Sequence, residues 1–177
     1  ALGLLFSWFG DLLLLFSGRS ETFFISGMVA FLLAHLCYSA AFIRPVRRCE
    51  GSRRVRGFLQ RNPLWIIPFP IILISVYRLI APGLGNLALP VLLYAVAILA
   101  MAALALNLRG VVDSRTFRLT VSGAVLFVLA DVLLGINRFA ADIPESGLLV
   151  MSAYMPAQYL IARGAAAGHR GVPAAPA

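Results

Sequence analysis

Long apolar runs fill this chain, broken only by short clusters of Arg, Gly, Pro and Asn. About 20 apolar residues in a helix cross the hydrocarbon core of a bilayer. By that measure six spans are predicted, at roughly residues 1–17, 22–43, 63–81, 88–108, 118–137 and 146–163. The predicted fold class is all-α: a polytopic transmembrane helical bundle over residues 1–163. The Ala-, Gly- and Pro-rich tail 164–177 is predicted to be disordered and cytoplasmic. The first residue is Ala and it stands inside a predicted helix, so the chain is expected to be truncated at its N-terminus.

Two polar positions interrupt the pattern in the same way. Asp11 and Asp131 are lone carboxylates inside otherwise apolar helices, and they share a local frame. GLLFSWFGDLLLLF, from Gly3, aligns without a gap on GAVLFVLADVLLGI, from Gly123. The chain has seven acidic residues, and the other five fall at predicted helix ends or in loops. An ionisable group in a span costs a few kcal/mol to insert, so it normally faces the bundle interior and has a function. Both aspartates lie about six residues below the predicted outer ends of their helices, or roughly 9 Å at 1.5 Å per residue. Their helices are four spans apart, and an even offset preserves direction. A parallel four-span internal repeat follows, and a complete pair of repeats has eight spans, two more than are read here.

Composition and charge narrow the function classes. The chain is 61% hydrophobic and 12% charged, with a mean hydropathy of +0.92, which excludes an ordinary soluble domain. The net charge of +8 comes from 15 arginines and no lysine, a usage that points to a GC-rich bacterial gene. Twelve of these arginines fall in the 44–61 connection, the 109–118 connection and the tail. The positive-inside rule puts that side, with the C-terminus, in the cytoplasm of a bacterial inner membrane, and the clustering argues against a nucleic-acid surface. The 44–61 arginines read as a topology signal and an anchor to anionic membrane lipids. Cys37 and Cys49 have neither metal-ligand spacing nor a disulfide partner.

Taken together, GLLFSWFGDLLLL, AFLLAHLCYSAAF, PVLLYAVAILAMAALAL, SGAVLFVLADVLLGINRF and SAYMPAQYLIA resemble the YhhN family of lysoplasmalogenases, in order, over nearly all of residues 2–163. The resemblance implies eight spans in the complete protein, and the family's early segment with a Lys-Pro pair is absent here. It also implies hydrolysis of the vinyl ether bond of a single-chain ether phospholipid, releasing a fatty aldehyde and glycerophosphocholine or glycerophosphoethanolamine. The implied catalytic carboxylates map onto Asp11 and Asp131. Oligomeric state is not readable from the sequence.

The chemistry suits the residues. Protonating the β-carbon of a vinyl ether gives an oxocarbenium ion, water adds, and the hemiacetal collapses to aldehyde and alcohol. One protonated acid and one carboxylate are needed, the division of labour that glycosidases use for a related cation. Two membrane-buried aspartates supply both without a metal or other cofactor. Ser7, one turn from Asp11, gives that aspartate more polar company and favours Asp131 as the acid. Six residues are candidates for binding substrate: Ser7, His35, Asn137, Arg138, Tyr154 and Gln158. His35 is expected about 10 Å below the aspartates, at the pocket floor, with Gln158 as its rough counterpart. Tyr154 is expected near aspartate level, where it can donate to a carboxylate. Asn137 and Arg138 lie at the outer interface, where a lipid phosphate sits. Pro68, Pro70, Pro90 and Pro156 are expected either to kink spans where pockets open or simply to be tolerated there.

Other readings compete with this one. The aspartates could serve packing, each bonded to a Ser, Tyr or Asn of a neighbouring helix. A proton-coupled transporter or lipid flippase also uses paired intramembrane aspartates, but normally in helices broken near the midplane. A purely structural subunit leaves the matched frame unexplained.

Overall fold

The computed structural model describes residues 1–52 and 56–170, and among them it is helical with no β-sheet. Seven helices run in order: α1 (Leu2–Leu15), α2 (Glu21–Ser52), α3 (Phe58–Arg61), α4 (Pro68–Ile80), α5 (Ala88–Asn107), α6 (Ser114–Phe139) and α7 (Ser146–Arg170). Four segments are long and apolar enough to cross a membrane: Glu21–Val46, Pro63–Gly83, Gly85–Asn107 and Ser114–Phe139. The chain is therefore an integral membrane helical bundle. The other two predicted spans fall on α1, an apolar helix of 14 residues, and on α7.

Several boundaries depart from the sequence reading. The predicted loop from Arg44 is instead the continuation of α2 to Ser52, with Pro45 inside it. Arg53 and Arg54 lie outside the described residues. At the C-terminus α7 continues to Arg170, beyond the predicted start of the tail at 164, and residues 171–177 lie outside the described residues. Pro68, Pro70 and Pro90 sit in the first turns of α4 and α5. Proline is tolerated there because those N–H groups have no intrahelical partner anyway. Pro156 alone of the four lies well inside its helix.

Two hairpins carry the most extensive packing, α1 on α2 and α6 on α7. Lipid tails are as apolar as leucine, so helices in a membrane associate through close van der Waals fit at small residues. Both hairpins are built in this way. A Cβ at Gly10 would lie 2.6 Å from the Phe31 ring of α2, and one at Gly123 would lie 2.8 Å from Ile161 of α7. The buried positions of α1 are Gly3, Ser7 and Gly10. The residues 120 positions on, Gly123, Phe127 and Ala130, are all buried in α6. The aspartate frame seen in the sequence is thus also a frame of burial. Around it lies the main core, with Ala34, Met101, Phe127 and Ile161 closed off from the surface. A second cluster of Phe24, Ile80, Leu84, Leu87 and Val91 lies towards the other end of α4 and α5. Helix α4 is the loosest of the four spans, with only 6% of its apolar window buried.

Candidate active site

Asp131 lies on the inward face of α6. Its Oδ2 accepts a hydrogen bond from the Tyr94 hydroxyl of α5 at 2.7 Å. His35 of α2 brings Nε2 to 3.7 Å from the same oxygen, within ion-pair range but outside hydrogen-bonding range. The carboxyl side chain is 14% exposed and His35 fully buried. The imidazole is fixed by rings: Tyr94 stands edge-on at 5.2 Å and Phe127 at 4.8 Å between centroids. Neither ring nitrogen of His35 has a hydrogen-bond partner. The expectation that His35 lies about 10 Å below the aspartates is wrong. At 32 residues α2 is far longer than a bilayer requires, so counting from a predicted end does not give depth.

Asp11 belongs to a neighbouring cluster. The Tyr38 hydroxyl donates to Gln158 Oε1 at 2.6 Å. Gln158 Nε2 donates to the Tyr154 oxygen at 3.0 Å, and the Tyr154 hydroxyl donates to Asp11 Oδ2 at 2.9 Å. Every donor in this run points towards the carboxylate, and aligned hydrogen bonds polarise one another. The Ser7 hydroxyl is buried in the same cluster, beside the Tyr38 and Tyr154 hydroxyls. Tyr38 and Gln158 are themselves 120 residues apart, the same offset as Asp11 and Asp131. The connections cross over: the aspartate of the first hairpin is served by a tyrosine of the second, and Asp131 of the second is approached by His35 of the first.

Phe127 stands where the two clusters meet. Fully buried, its ring lies 4.8 Å from His35, 5.4 Å from Tyr154 and 6.4 Å from Tyr38. The candidates therefore divide into three places. Asp131 and His35 come together, and so do Asp11, Ser7, Tyr154 and Gln158. Asn137 and Arg138 lie apart from both clusters. Asn137 Oδ1 accepts from Ile143 N at 2.9 Å, holding the turn after α6. The Arg138 guanidinium stacks over the Phe24 ring at 4.9 Å.

A pocket open on one side lies between α2, α4, α5 and α6, with Leu14 of α1 at its edge. Its wall is apolar apart from Asp131, Tyr94 and Tyr77. Tyr77 is engaged, donating to Ala88 O at 3.2 Å. Asp131 thus borders the pocket and Asp11 does not. Among the described residues no three His, Cys, Asp or Glu side chains converge as metal ligands would. The sequence reading missed Tyr94, Tyr38 and Phe127. For Tyr94 a signal existed: a phenol inside an Ala- and Leu-rich helix needs a hydrogen-bond partner.

The YhhN family profile matches residues 1–165. A Bos taurus protein named lysoplasmalogenase is 29% identical over 167 residues, covering 90% of this chain and 62% of the relative. A Mycobacterium tuberculosis protein named lysoplasmalogenase is 34% identical over 143 residues, covering 80% of this chain and 50% of the relative. The chain therefore spans only 50–62% of the length of these relatives. No solved structure matches the chain.

Proposed function

The chain belongs to the YhhN family, and from that premise we propose that it carries the reaction centre of a membrane-embedded lysoplasmalogenase. The substrate is a single-chain alkenyl glycerophospholipid. The products are a fatty aldehyde and glycerophosphocholine or glycerophosphoethanolamine. One observation carries the reading: a single carboxyl group, Asp131, with its Tyr94 partner, borders a pocket otherwise shaped for hydrocarbon.

Asp131 is the proton donor in this reading. Its O–H bond breaks as the alkene electron pair forms the new C–H bond at the β-carbon, leaving an oxocarbenium ion. Water adds to the α-carbon and returns a proton to a carboxylate. The hemiacetal hydroxyl then gives its proton to a carboxylate as the bond from carbon to the glycerol oxygen breaks, and that oxygen takes a proton from the carboxyl group and leaves as the alcohol. Asp11 is the second carboxylate, at the end of a run of donors that favours negative charge. The unpartnered ring nitrogens of His35 offer a place for a water molecule. Asn137 and Arg138 lie at the headgroup end.

The same reading gives α1 and α7 as spans, completing six in this chain within a parallel repeat, and places the protein in a bacterial plasma membrane with a cytoplasmic C-terminus. Purified full-length protein in detergent, with no gradient across any membrane, is expected to release aldehyde from a lysoplasmalogen. No aldehyde under those conditions would favour the transporter reading.

A further inference from the structure

Several glycines inside the helices have a close neighbour that requires them; Gly135 and, in the first turn of α7, Gly147 do not. Cβ atoms at Gly10, Gly27 and Gly123 would lie 2.6, 2.9 and 2.8 Å from Phe31, Leu14 and Ile161. Gly164 is crowded by Thr120 in the same way. At Gly135 an added Cβ would meet nothing within 4 Å. Glycine weakens a helix interior, and here no packing requires it. Gly135 instead lines the pocket, one turn along α6 from Asp131, on the same face. Arg138 follows on that stripe, its guanidinium over Phe24, which with Phe139 borders the same pocket. The Arg138 guanidinium has no carboxylate partner among the described residues.

We propose that Gly135 is the specificity-determining gap through which the glycerol phosphate of a single-chain ether lipid passes, between the reacting carbon at Asp131 and a phosphate held by Arg138. This rests on the lysoplasmalogenase reading and adds a ruler to it. Seven residues of helix separate Asp131 from Arg138, about 10 Å at 1.5 Å per residue. In a 1-alkenyl glycerophospholipid seven bonds separate phosphorus from the vinyl β-carbon, about 8 Å at the reach of an extended chain. The arginine side chain spans the difference. A vinyl ether next to the glycerol is thereby placed at the carboxyl group, and the hydrocarbon chain runs on along Phe31, Ile98 and Leu99. A side chain at 135 would fit the protein and obstruct the lipid.

The test uses full-length protein in detergent and two substrates of equal chain length: an alkenyl glycerophosphocholine and the corresponding alkenyl ethyl ether, which lacks glycerol and phosphate. Gly135→Leu is expected to lower the phospholipid-to-ethyl-ether turnover ratio by about 10²-fold, the scale on which a filled apolar pocket discriminates. Gly135→Ala shifts it far less. Wild-type protein inactive on both substrates removes the lysoplasmalogenase reading itself. Active wild type with an unchanged ratio in Gly135→Leu overturns the gap alone. So does a well-folded Gly135→Leu that loses both substrates in equal proportion, because the side chain would then obstruct the carboxyl group rather than the headgroup path. If Gly135→Leu does not purify, Arg138→Gln decides: it is expected to raise KM for the phospholipid about tenfold, as loss of a charge-assisted phosphate contact does, and an unchanged KM overturns the ruler.

Discussion

Asp131→Asn separates folding from chemistry. The amide has nearly the shape of the carboxyl group it replaces, and its oxygen can still accept from Tyr94, now at 2.7 Å from Oδ2. In the protonated acid the bond from Tyr94 is already a neutral one, so the cost to folding is at most that of one neutral hydrogen bond, about 1 kcal/mol. That predicts a melting temperature within a few degrees of wild type for a chain of this size. The amide cannot give a proton to carbon. Loss of a general acid lowers turnover by about 10²–10⁴-fold, equivalent to roughly 3–5 kcal/mol on the barrier. Chemistry should therefore lose several times more free energy than folding does. Asp131→Glu is the companion variant: it keeps the acid but moves it by one C–C bond, and a misplacement of about 1 Å is expected to cost on the order of 10²-fold. The assay is aldehyde release from a lysoplasmalogen by purified protein, trapped by a hydrazine and followed alongside thermal unfolding. Asp131→Asn protein that keeps more than about one tenth of wild-type turnover refutes the assignment of the acid.

Asp11→Asn is expected to lower turnover by at least about 10²-fold and Tyr154→Phe by about tenfold. The double variant should fall short of the product of the two, since they share one hydrogen bond, and an additive cycle breaks the link. Hydrolysis in heavy water should place one deuterium at the α-carbon of the aldehyde, the former vinyl β-carbon, and slow the reaction. Mass spectrometry of the rapidly trapped aldehyde reads this out, and an unlabelled carbon excludes carbon protonation. Gly123→Val places a branched side chain against Ile161 and the Ala157 carbonyl, and overpacking of this kind costs about 1–3 kcal/mol. Thermal unfolding should show a clear loss for Gly123→Val and little for Gly135→Ala, and the reverse order contradicts the packing described.

The matched frame was legible because helical spacing ties burial to sequence. Residues 3, 7 and 10 share a face of α1 with Asp11, and the same spacing recurs in α6, so an alignment made by eye maps onto a real packing surface. The contact of Tyr154 with a carboxylate could also be anticipated from depth alone. What escaped the sequence was direction around the helix axis. A membrane helix is apolar on every side, so α5 signals that Tyr94 needs a partner but not that the partner is Asp131. Depth failed for His35 because α2 overruns the bilayer, and the helical course of 164–170 was hidden by a composition that elsewhere means disorder. The division of the two aspartates between pocket and interior lay beyond any reading of the sequence, since it depends on where Phe127 stands.

The crossing of partners between hairpins has a consequence for how the protein is made. Asp11 and its donor Tyr154 are 143 residues apart. At a synthesis rate of about 5–20 residues per second, roughly 7–30 s pass between the emergence of the first and of the second. During that interval the hydrogen-bond donor of Asp11 has not yet been made, so the seating of this carboxyl group waits on the arrival of α7. Synthesis therefore runs through α6 and into α7 before Asp11 meets its donor, and a nascent protein stopped short of Tyr154 leaves that carboxyl group without it.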